Sequence, residues 1–235
     1  MSNIILPTSL TDYIQIYDNV IPDDICDELI TRFESSVKEQ FSTGLDGPGA
    51  FPDGTPFNKK FTEINFGYSK DWHKDWNRYF KDALTYCTEK YQEALNIKKG
   101  VSWPFKYEVE NFRIKKYSPA LDGQFPDQIS PHVDASDHFT ARRFLSIFWY
   151  LNDVEKGGET EFPHLNYRVT PKKGTALIFP PLWFFPHAGL PAVSGSKYII
   201  HSYLQYPIDK KHFYQFCEDN PLKSGAVEKE NDINK

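Results

Sequence analysis

The sequence predicts a mostly β protein with flanking helices, an α+β arrangement whose core is a double-sheet, jelly-roll kind of β structure. Three observations carry this reading. Between residues 105 and 206, short segments rich in Tyr, Phe, Ile, Val and Thr are bounded by Gly, Pro, Asn and Asp, as strands separated by turns are. One long stretch, 71–96, repeats its apolar residues at helical spacing. Aromatic residues make up 16% of the chain, and such side chains favour strands and apolar pockets.

Taken in order, residues 13–20 alternate apolar and polar and predict a strand; Pro22-Asp23-Asp24 then opens a helix with Ile25, Leu29, Ile30 and Phe33 at helical spacing. Residues 41–58 hold Gly44, Gly47, Pro48, Gly49, Pro52, Gly54 and Pro56, a density of breakers that predicts a loop and a candidate lid. From 71 to 96, Trp72, Trp76, Phe80, Leu84, Cys87, Tyr91 and Leu95 form one stripe, read as core packing. Strands are expected near 106–117, 130–135, 143–151, 159–163, 166–170, 174–180, 183–188 and 196–206. This gives a single domain over 1–207, with helical support and the lid loop in 1–104 and the β core in 105–207, and a polar C-terminal tail over 208–235.

The formal net charge is −5 and no long Lys/Arg block occurs, which argues against nucleic acid as a partner. The opening residues lack a secretory core and no run of about 18 apolar residues exists, so the expectation is a cytoplasmic protein with no membrane partner. Cys26, Cys87 and Cys217 are far apart and odd in number, which fits reduced thiols.

The candidate chemistry starts at SPHVDAS. His132 and Asp134 are two apart, so on a strand both leave one face and can grip one ion. WFFPHAG supplies His187, and two imidazoles with one carboxylate form the facial triad that leaves positions open on Fe(II). His132 alone also fits a solvated surface histidine. Ten residues after His187 comes Lys197, on a strand whose alternation puts Lys197, Ile199, His201 and Tyr203 on one face. A cation among such neighbours needs an anionic partner, unless it is an exposed lysine at the strand start.

From Tyr117 to Tyr206 the chain resembles the 2-oxoglutarate-dependent prolyl 4-hydroxylase family of Fe(II) dioxygenases. The resemblance runs through Tyr117, His132-Val133-Asp134, Arg143, Tyr150-Leu151-Asn152-Asp153, Gly157-Gly158-Glu159-Thr160-Glu161-Phe162, Lys173-Gly174, His187 and Lys197. It implies a double-stranded β-helix, cupin-like core with helices outside one sheet. It also implies His132, Asp134 and His187 as iron ligands, Lys197 as the cation for the far carboxylate of 2-oxoglutarate, and Tyr117 and Tyr150 as its hydrogen-bond partners. Thr160 is expected to line that pocket, and Arg143 and His201 are candidate substrate contacts. The implied reaction consumes O2 and 2-oxoglutarate on Fe(II), with ascorbate in support, and hydroxylates a C–H bond of a proline-containing peptide or protein. A free amino acid or other small molecule is the alternative substrate. A non-catalytic cupin-like metal-binding module is a third reading, disfavoured because a structural metal site has no use for a dicarboxylate clamp.

Overall fold

The computed structural model describes residues 7–44, 49–50, 56–119 and 125–208. A 3-10 turn at Leu10–Tyr13 leads into β1 (Gln15–Tyr17) and helix α1 (Asp23–Ser35). Then come β2 (Phe41–Thr43), β3 (Gly49–Ala50), β4 (Pro56–Phe57), β5 (Lys59–Asn65) and helix α2 (Lys70–Ala94). The remaining strands are β6 (Glu108–Val109), β7 (Arg113–Tyr117), β8 (Gln128–His132), β9 (Arg143–Tyr150), β10 (Thr160–Phe162), β11 (Tyr167–Val169), β12 (Ala176–Phe179), β13 (His187–Gly189) and β14 (Lys197–Gln205).

The main sheet path runs β1-β12-β9-β14-β7-β5-β8-β13-β10-β11, with antiparallel neighbours throughout. It turns over at β5, whose Lys59 and Lys60 pair with β8 while Thr62 to Asn65 pair with β7. The sheet thus curls into a double-stranded β-helix with a cavity between its two walls. Alternation sorts the side chains. On β9, Ile147 and Trp149 join the core beneath the helices, whereas Phe148 and Tyr150 join a second apolar cluster towards the cavity.

Helix α2 forms where the stripe predicted it. The Ser69 hydroxyl accepts from the Trp72 amide, Asp71 sits in the first turn, and the chain leaves the helix through Asn96 at φ 50°. Its buried face carries Trp72, Trp76, Phe80, Leu84, Cys87 and Tyr91. Phe80 lies 5.4 Å from Trp149 and 5.6 Å from Phe112, ring to ring, which fixes the helix on the outside of the larger wall. Helix α1 buries Cys26, Leu29 and Phe33 on the same side.

Several expectations change. The strand foreseen at 13–20 shrinks to β1, because Ser9 and Asp12 cap a 3-10 turn just before it. The region 41–58 is not simply a loop: β2 pairs with β5 and β3 with β4, while 45–48 and 51–55 of the candidate lid lie outside the described residues. Strand β5 had no counterpart in the sequence reading. The strand foreseen at 183–188 is replaced by a turn in which the Phe185 amide donates to the Leu182 carbonyl, followed by the short β13. The tail beyond 208 and Cys217 lie outside the described residues. Cys26 and Cys87 are buried thiols pushed up to about 11 and about 12 by burial. No helix among the described residues is long and apolar enough to cross a membrane.

Candidate metal centre and its cavity

Register brings the three candidate ligands together. His187 on β13 stands directly opposite His132 at the end of β8. Asp134 follows two residues on, just past the strand end rather than within it, yet its carboxylate still reaches both rings: Oδ1 is 3.4 Å from His132 Nε2 and Oδ2 is 3.3 Å from His187 Nε2. One ligand atom from each residue lies within 4.8 Å of the others.

Each ring is oriented by its other nitrogen. His132 Nδ1 is 2.9 Å from the Ser130 carbonyl and His187 Nδ1 is 3.2 Å from the Phe185 carbonyl. A carbonyl can only accept, so each Nδ1 carries a proton and each Nε2 is aimed at the centre, where it can face the Asp134 carboxylate as an N–H or ligate a cation once that proton is lost. Asp134 Oδ2 is buried with no hydrogen-bond partner. Burial pushes the Asp134 carboxyl up, but the adjacent imidazoles outweigh it and hold the group well below the usual carboxylate range. An ionised carboxylate with an unmet oxygen, facing the Nε2 atoms of two imidazoles, fits a divalent cation, and this donor set suits non-haem Fe(II).

The triad opens into a cavity of about 690 Å3. Lys197, at the start of β14, is 3% exposed, and its Nζ donates to the Gly158 carbonyl at 2.7 Å. Gly158 and Gly157 both take positive φ, and a Cβ on Gly157 would meet the Pro191 carbonyl at 2.4 Å, so this turn needs glycine. The Lys197 ammonium lies 5.3 Å from the Tyr117 ring and 5.6 Å from the Tyr150 ring, and forms no ion pair among the described residues. Burial pushes it down to about 7. The Tyr150 hydroxyl is 2.7 Å from Thr160 Oγ1. Lys197, Tyr117 and Thr160 thus line the cavity, with Tyr150 held against Thr160.

Arg143 and His201 face the same cavity but are already engaged. Arg143 donates from Nε and Nη2 to the two Glu110 carboxylate oxygens at 2.6 and 2.9 Å, and from Nη1 to the Asp134 carbonyl at 3.0 Å. Its guanidinium lies 3.9 Å from the Tyr203 ring centre. Arg142 points elsewhere, donating to the Tyr206 carbonyl. His201 is buried between Lys115 Nζ and Ser146 Oγ, each at 3.3 Å. The sequence reading missed Lys115, Glu110 and Glu63. The signal existed for Lys115: once Tyr117 is placed at the cavity, alternation along Arg-Ile-Lys-Lys-Tyr puts Arg113 and Lys115 there too.

Against known proteins, the 2OG-Fe(II) oxygenase superfamily matches residues 116–205. A protein of Acanthamoeba polyphaga mimivirus named for prolyl 4-hydroxylase activity is 38% identical over 116 residues, covering 44% of this chain and 48% of that one. The chain therefore spans about half the length of that curated relative and about a fifth of vertebrate prolyl 4-hydroxylase α-1 subunits. Among solved structures, the viral collagen prolyl hydroxylase of Paramecium bursaria Chlorella virus-1 in its 2-oxoglutarate complex aligns with a TM-score of 0.54 at 22% identity, covering 83% of this chain and 97% of that one. The Trichoplax adhaerens prolyl hydroxylase in complex with a hypoxia-inducible-factor peptide aligns with a TM-score of 0.55 at 16% identity over 83% of this chain and 84% of that one. At such identities these two structures support the double-stranded β-helix fold.

Proposed function

We propose that this chain, which matches the 2OG-Fe(II) oxygenase superfamily over residues 116–205, is an Fe(II)- and 2-oxoglutarate-dependent dioxygenase of the prolyl hydroxylase kind, hydroxylating proline in a peptide or protein. The observation that carries the reading is the buried Asp134 oxygen without a partner, set between two imidazoles oriented by backbone carbonyls.

In this reading His132, Asp134 and His187 hold Fe(II). Lys197 takes the far carboxylate of 2-oxoglutarate, since it is buried with no ion-pair partner among the described residues. The Tyr117 hydroxyl, which has no hydrogen-bond partner among the described residues, donates to the co-substrate, while Thr160 fixes the Tyr150 hydroxyl beside it. With iron bound, oxidative decarboxylation of 2-oxoglutarate to succinate and carbon dioxide supplies the oxidising equivalent that inserts one O2-derived oxygen into a C–H bond. Burial of the Lys197 end excludes water from the co-substrate. Arg143, tied to Glu110 and to the Asp134 backbone, positions the loop that carries Asp134. The peptide preference follows the relatives, which are named for prolyl hydroxylation, one of them solved with a peptide.

Incubation with Fe(II), 2-oxoglutarate, O2, ascorbate and a library of proline-containing peptides is expected to yield succinate and peptides one oxygen atom heavier. His132→Ala, Asp134→Ala and His187→Ala should abolish both. Wild-type succinate formation in all three variants under metal-controlled conditions would overturn the reading.

A further inference from the structure

The cavity holds a second buried lysine. Lys115 lies on β7, next to β14, is 8% exposed and lines the same cavity as the triad. Among the described residues no carboxylate forms an ion pair with it, although Glu63 and Asp134 lie near enough to favour its charged form. Nζ is 3.3 Å from His201 Nδ1 and 4.4 Å from the centre of the Phe61 ring. His201 is held neutral, by burial first and by the Lys115 charge next, so it offers a lone pair and no charge. The nearby carboxylates do not pair with Lys115. Glu63 stands opposite it on β5 and, like Asp134, acts on it through space, but neither makes an ion pair with it. Arg113 and Arg143 share Glu110, so that carboxylate is also taken.

In the oxygenase reading, 2-oxoglutarate brings two carboxylates, one for Lys197 and one for the metal. Neither is left for Lys115. A buried cation without an ion-pair partner is costly unless a ligand supplies one, and burial outweighs Glu63 and Asp134 to push Lys115 down to about 8. We propose that Lys115, backed by His201, is a second anion seat in this cavity and receives a carboxylate of the substrate to be hydroxylated, an inference that rests on the oxygenase reading of the site. Two sources offer that chemistry: the α-carboxylate of a free amino acid, and an Asp or Glu side chain beside the target proline in a peptide.

The test is anaerobic calorimetric titration of the Fe(II)-loaded protein, first with 2-oxoglutarate and then, at saturating 2-oxoglutarate, with matched probes. L-Proline against L-prolinamide reads the first source. Acetyl-Gly-Glu-Pro-Glu-Gly-amide against its Gln-for-Glu counterpart reads the second. In one pair the carboxylate-bearing member should bind about tenfold tighter or better, as expected for a charge-assisted hydrogen bond. Lys115→Met and Lys115→Gln should each erase that preference while 2-oxoglutarate affinity stays within about twofold of wild type. Lys115→Arg should keep part of it. The inference is overturned if both pairs bind without preference or not at all, if the preference survives in the Met and Gln variants, or if those variants weaken 2-oxoglutarate as much as the probe. Failure of 2-oxoglutarate to bind in the first titration would instead sink the oxygenase reading itself.

Discussion

At the scale of single residues, Lys197 ties co-substrate binding to pH. Burial lowers its pKa from 10.5 to about 7, so between those values the unfolded chain binds a proton that the ligand-free folded chain does not. Its contribution to the stability of the ligand-free protein therefore rises with pH across that window. A carboxylate at Nζ reverses the shift. At pH 8, 2-oxoglutarate should bind with uptake of up to about one proton, read by calorimetry in buffers of different ionisation enthalpy, and its affinity should fall as pH rises above 7. Lys197→Met should abolish the uptake and weaken 2-oxoglutarate about tenfold or more; uptake that persists would assign the clamp elsewhere. The residues of this site were legible in sequence where spacing or motif marks them, as with His132, Asp134, His187 and Lys197. Lys115 was not, because a lysine in a charged strand looks solvent-facing until a neighbour's facing is known.

Among the elements, α2 and β14 were legible because their signals are long and periodic. Strand β5 was not. Its sequence, Lys-Lys-Phe-Thr-Glu-Ile-Asn, places Lys59, Phe61 and Glu63 on the cavity side and Ile64 in the core beneath the helices, so neither face reads as purely apolar or polar. Pairing is also invisible in one sequence: that His187 meets His132 depends on register, which local pattern does not encode. The α2 stripe makes a quantitative prediction. Phe80→Ala should cost about 3–5 kcal/mol in denaturant unfolding, with the midpoint shifted and the slope kept. Exposed Tyr68→Ala should stay within about 0.5 kcal/mol. Equal losses would mean that α2 is not anchored through Phe80.

Across the whole molecule, the three candidate ligands come from one wall of the β-helix, His132 at the end of β8, Asp134 just past it and His187 on β13, so a bound cation would tie those neighbouring strands together. Occupying the centre should stabilise the fold. At 100-fold excess over Kd, a bound divalent cation adds about 2.7 kcal/mol, or roughly 5–10 °C in melting temperature for a domain of this size. Chelation should remove the increment, and His187→Ala should never show it; an unchanged melting temperature on adding Fe(II) to the wild type would count against the centre. The sheet order has a further consequence, for the ribosome. Strand β14 lies between β9 and β7, in the middle of the larger wall, yet it follows both in the chain. Until residues 197–205 emerge, a nascent chain presents the facing edges of β7 and β9 with nothing between them, and exposed edges invite aggregation. The wall closes only when its centre is delivered, so nascent chains arrested before residue 197 should resist protease no better than unfolded ones, and those extended far enough to expose residue 205 should gain protection in a single step.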